Sequence, residues 1–149
     1  MMDEDRTDRL NLEVTEKRDL RTRLREYSLR ILKLYDSLPK TGAVHIITHQ
    51  LARSGTSPGA QYREACRAKS DADFISKMEG ALQELDESDY WLDLLVGGGF
   101  LTESRLRPLI TETNELISIF VAIITKVKRR RRTSKKEDSS VRPHPSSTQ

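Results

Sequence analysis

Three sets of side chains in this 149-residue chain have types and spacings that catalysis could use. His45 and His49 stand four apart, on one face of any helix that contains them, as a metal-chelating pair does. A ferritin-like di-metal site needs Glu-x-x-His, and the residues three before these histidines are Gly42 and Ile46. Cys66 would lie about five helical turns further on, so the pair is expected to be two polar surface residues. Cys66 itself, as a nucleophile, needs a base and a group to orient that base. It stands among small residues on a packing face and is expected to be buried and inert. Glu84, Glu87 and Asp89 offer carboxylates for acid–base work, but with Glu79, Gln83, Asp86 and Asp93 they form a continuous polar face with no converging pocket. The expectation is a chain without catalytic residues, metal or cofactor.

The remaining chemistry is charge. A net charge of +3 conceals strong segregation. Residues 1–16 carry net −4, 17–69 net +8, 70–125 net −8 and 126–149 net +7. Arg21 and Arg25 crowd the first helical segment; Arg53, Arg63 and Arg67 dot the second. The run "KVKRRRRTSKK", residues 126–136, holds eight cations and no acid. Such a tail displaces counterions from a polyphosphate, with a log–log salt slope of up to roughly −7 if every cation engages duplex DNA. Arg21, Arg25, Arg53, Arg63 and Arg67 of the body, with Lys128, Arg129, Arg130, Arg131 and Arg132 of the tail, are the expected phosphate contacts. No aromatic stacking platform accompanies them, so sequence selectivity is not expected. Solubility or contact with anionic lipid is the alternative use of the tail.

These residues must be held by helices. Leu20, Leu24, Tyr27, Ile31, Leu34 and Leu38 follow the 4-3 spacing of a core-facing stripe, which Pro39 and Gly42 end. Ser70 and Asp73 read as a capping box. From there Phe74, Met78, Ala81, Leu85, Ser88, Leu92 and Leu95 repeat the spacing up to the glycines 97–99. Thr102 caps a last helix with Leu106, Ile110, Thr113, Ile117, Phe120, Ile124 and Val127 inward. Pro108 either bends that helix or delays its start by a turn. Of the adjacent aromatics Tyr90 and Trp91, one is expected to fill a groove between helices and the other to be an interface anchor.

The stretch "RSGTSPGAQYREACRA", residues 53–68, holds the least usual composition. It lacks the Lys-Ser/Thr that closes a phosphate-binding loop. Continuing the 4-3 count through Val44, Ile47 and Leu51 brings Ser54, Pro58, Gln61 and Ala65 inward, with Gly55, Gly59, Tyr62 and Cys66 on the adjoining face. Ser54, Gly55, Pro58, Gly59 and Tyr62 are therefore the expected helix-packing set of one continuous second helix, kinked at Pro58. The other arrangement ends a helix at Gly55 and restarts it with Ser57 as cap and Pro58 at the first position.

The residues "LRILKLYDSLPK", "QLARSGTSPGAQYREACRAKSDADFISKM", "DESDYWLDLL" and "NELISIF" together resemble the bacterial four-helix-bundle proteins found as open reading frames inside 23S ribosomal RNA intervening sequences. That family includes the accessory variability determinant of diversity-generating retroelements. Pro58 stands where the family has Val or Ile, and Gln61 where it has Asn. The resemblance implies an all-α, antiparallel up-down bundle. For retroelement members it implies a homopentamer that binds RNA or DNA and a reverse transcriptase.

The expected organisation is a flexible acidic N-terminus over 1–16, a bundle over 17–131 and a disordered basic tail over 132–149. The single cysteine excludes an internal disulfide, and the polar first residues do not read as a signal, so a cytoplasmic, non-membrane protein is expected. The expected role is a non-enzymatic oligomeric adaptor for nucleic acid. The alternative is a protein-interaction scaffold whose charges are consumed between protomers.

Overall fold

In a computed structural model the backbone is described for residues 2–140 and the side chains for residues 19–140. Four helices follow one another: α1 (Met2–Ser37), α2 (Gly42–Cys66), α3 (Asp71–Gly97) and α4 (Glu103–Ser140). No strand occurs among the described residues. Packing is most extensive between α2 and α3 and slightest between α1 and α4.

Both sequence-encoded caps form. The Ser70 hydroxyl accepts from the Asp73 N–H at 3.1 Å, and the Thr102 hydroxyl accepts from the Arg105 N–H at 3.3 Å. Because Thr102 caps α4, that helix starts at Glu103 and takes Pro108 inside it. At the end of α3 the Phe100 N–H reaches the Leu95 carbonyl and the Gly99 N–H the Val96 carbonyl. This double closure needs a left-handed residue, and Gly99 supplies it at φ +72°.

The predicted stripes form the core. Leu24, Tyr27 and Ile31 of α1, Leu51 and Ala65 of α2, Met78, Leu85, Leu92 and Leu95 of α3, and Leu106 and Phe120 of α4 are buried. Leu109 and Leu116 of α4 are buried too, and Ile110 and Ile117 are only half-buried. The simple count holds at Leu106, Thr113, Phe120, Ile124 and Val127, and Leu109 and Leu116 take the inward places expected for Ile110 and Ile117. Among the described residues α4 alone is long and apolar enough, by composition, to cross a membrane, and its inward stripe faces the other helices.

Helix α2 is continuous through its small residues. Thr56 donates to the Ala52 carbonyl at 2.7 Å and Ser57 to the Arg53 carbonyl at 2.7 Å, supporting the backbone around the proline. Gly55 faces α1: a Cβ there would lie 2.8 Å from Ile31 Cγ1. Gly59 has more room, 3.7 Å from Leu24 Cβ. Ser54 faces α3 instead, where its hydroxyl shares a buried 2.8 Å hydrogen bond with Ser88.

Helix α1 begins at Met2, so the backbone of the acidic stretch is helical. Helix α4 continues to Ser140, past residue 131 where the bundle was expected to stop; residues 141–149 of the expected tail lie outside the described residues. An established helix adds residues by propagation alone, without a new nucleus.

Candidate nucleic-acid interface

The expected arginine set divides into two groups. Arg53 reaches across from α2 to α3 and bonds Glu84 at 3.2 Å and Glu87, and these contacts hold its guanidinium above its usual pKa, the Glu87 hydrogen bond most. Lys128 pairs with Glu79 at 2.7 Å, and Arg130 with Asp71 at 3.0 Å. These three cations tie helices of the chain together. Arg21, Arg25, Arg63 and Arg67 are exposed and make no ion pair with a described residue.

The register gathers those four arginines along one seam. Gly59 packs on Leu24 and Ser28, so the antiparallel pair places Arg63 and Arg67 opposite the part of α1 that carries Arg21 and Arg25. Tyr62, buried between them, has its phenol pKa pushed up by that burial, with Arg21 near enough to pull the other way. Among the tail cations Arg129 and Arg132 are exposed, Arg131 is half-buried, and none of the three forms an ion pair with a described residue.

Arg23 plays a part that its position in a run of arginines conceals. It bonds both Glu112 and Glu115 across the sparse α1–α4 seam, which raises its pKa, chiefly through the Glu112 hydrogen bond. The two glutamates three apart on α4 are its sequence signal.

The carboxylates considered for acid–base work are engaged structurally. Glu84 and Glu87 hold Arg53, Glu87 also accepts from the Trp91 indole at 3.3 Å, and Asp89 accepts from Asn114 at 3.3 Å. Asp86, Asp89, Asp93 and Glu103 line an open depression between α3 and α4, with Tyr90 and Ile110 in it. Tyr90 is 54% exposed, whereas Trp91 is half-buried against the bundle.

Cys66 corrects one expectation: it is exposed, because α2 ends at that residue and the chain turns away toward α3. The rings of His45, His49 and Tyr35 lie tilted against one another at separations of 6.0–6.5 Å, and no third His, Cys, Asp or Glu joins the histidines among the described residues.

A family model described as 23S rRNA-intervening sequence protein matches residues 16–122. The crystal structure of a protein of unknown function from the S23 ribosomal protein family of Bacteroides thetaiotaomicron is 34% identical and superposes with a TM-score of 0.65. The match covers 70% of this chain and 97% of that one. No curated protein matches the chain.

Proposed function

The chain belongs to the 23S rRNA-intervening sequence protein family, and from that premise we propose that it is a non-enzymatic, self-associating adaptor that holds nucleic acid by its phosphates. One observation carries this reading: Arg21, Arg25, Arg63 and Arg67 share a solvent-facing seam, and no described acid neutralises them. Surface cations without an ion-pair partner among the described residues can engage phosphate, and their binding releases counterions.

Self-association rests on the opposite surface. The acidic depression with exposed Tyr90 is complementary to the arginine seam of a second copy. Such a basic-on-acidic contact is head-to-side, and it closes into a ring when the rotation between copies permits, as the family resemblance to a pentamer implies. A seam engaged in this way at one end leaves the arginines at its other end free for nucleic acid.

Fluorescence anisotropy on a labelled nucleic acid at 50 mM and 200 mM salt tests the reading. Reversing Arg21, Arg25, Arg63 and Arg67 to Glu is expected to weaken binding at least tenfold and to flatten its salt dependence. Undiminished binding by that variant would remove the seam from the interface. Sedimentation at micromolar concentration tests assembly: a defined oligomer is expected, which Tyr90→Lys dissociates, and a monomeric wild-type protein would sink this part.

A further inference from the structure

The rest of α4 does something that its composition alone does not announce. Asp71, the first residue of α3, forms an exposed pair with Arg130 near the point where α4 leaves the bundle. Beyond Arg130 the helix runs on to Ser140, and its residues 132–140 are all exposed. This arm is about 15 Å long. Within it Thr133 donates to the Arg129 carbonyl at 3.1 Å.

At 3.6 residues per turn, five cations of the arm and of the turn that leads into it fall on one side in two rows. Lys128 and Lys135, seven apart, make one row; Arg129 and Lys136, seven apart, make the other; Arg132 lies between them. The rows are separated by roughly 100° around the axis and each spans about 10 Å along it. Arg130 is on the far side, held by Asp71. Lys128 is engaged with Glu79, but that pair is solvent-exposed and exposed pairs contribute only about 0–1 kcal/mol, so phosphate can displace it.

Resting on the nucleic-acid reading above, we infer that the α4 arm is a preformed rod that lies in the major groove of B-form duplex DNA, its two cationic rows meeting the phosphates of the two groove walls. A helix with side chains is roughly 10–12 Å across, and that groove is about 12 Å wide. The major groove of an RNA duplex is deep and too narrow to admit it. The contacts are to phosphate, so binding is independent of sequence, with a log–log salt slope of about −4.5 from five cations.

The test uses the full chain and a fluorescent 24-base-pair DNA, with an RNA duplex of the same sequence as competitor. Thr133→Pro keeps every charge but removes an N–H from the arm and clashes with the preceding turn. It is expected to weaken DNA binding about tenfold, with the melting temperature of the bundle unchanged. Arg129→Gln/Lys136→Gln is expected to cost at least fivefold more than the charge-matched Arg130→Gln/Arg131→Gln. DNA is expected to win over RNA. Equal binding by wild type and Thr133→Pro, equal effects of the two double variants, or preference for the RNA duplex would each overturn the arm's role. If the seam variant loses binding and Thr133→Pro does not, the adaptor reading stands and the groove-binding arm falls. Absence of any wild-type binding at 50 mM salt would remove the adaptor reading itself.

Discussion

Tyr27 is 1% exposed, and its hydroxyl shares a 2.6 Å hydrogen bond with Thr113 across the α1–α4 contact. Burial pushes its pKa from 10.0 up to about 12. In the unfolded chain the phenol ionises near its ordinary value, so the folded state keeps a proton that the unfolded state releases. The stability this contributes is present below pH 10 and is lost as pH rises through about 12, an effect of about 3 kcal/mol for two units. Urea unfolding at pH 8, 10 and 11.5 should show that loss, and Tyr27→Phe should reduce the alkaline slope while costing about 1 kcal/mol at pH 8 through the lost hydrogen bond. Arg53 supports a second expectation. Its side chain is 49% exposed and already bonded to two glutamates, so Arg53→Ala should cost at most about 1 kcal/mol and change nucleic-acid affinity less than twofold. At this scale the sequence shows which residues are charged but not which charges are spent: Arg53 and Arg63 stand on one helix, and only the facing helix α3 separates their fates.

The seam between α1 and α2 turns on two glycines that look alike in the chain. Gly55→Ala would drive a methyl to 2.8 Å from Ile31 Cγ1, and Ile31 is itself 1% exposed and cannot yield. Overpacking of this kind costs about 1–3 kcal/mol. Gly59 has 3.7 Å to its nearest neighbours, so Gly59→Ala fits and should gain up to about 1 kcal/mol of helix propensity. Thermal melts of the two variants should therefore move in opposite directions, and a shared direction would refute this account of the seam. Much at this scale was legible beforehand, because caps and stripes are local: Ser70, Thr102 and the 4-3 spacing act within one or two turns. The tight glycine was not legible, because it is set by the axial stagger of α1 on α2, which no local pattern encodes. The exposure of Cys66 follows from the end of a helix, and the inward count could not place that end.

Across the whole molecule, charge segregation is partly resolved within the chain itself. Arg53 joins α2 to α3, Lys128 and Arg130 join α4 to α3, and Arg23 joins α1 to α4. What remains is a basic seam, an acidic depression and a cationic rod. The family and the bundle were legible from motif order and periodicity. The rod was not, because a run of arginines followed by Ser and Pro has the composition of a disordered tail, and only its attachment to a nucleated helix makes it continue. The indole of Trp91, the chain's single tryptophan, touches Tyr90 at 5.2 Å between rings and donates to Glu87, the carboxylate that Arg53 clamps. The protein therefore carries its own optical reporter: an event that lifts α2 from α3, or seats a neighbour on Tyr90, changes the polarity around one emitter and shifts its fluorescence without any label.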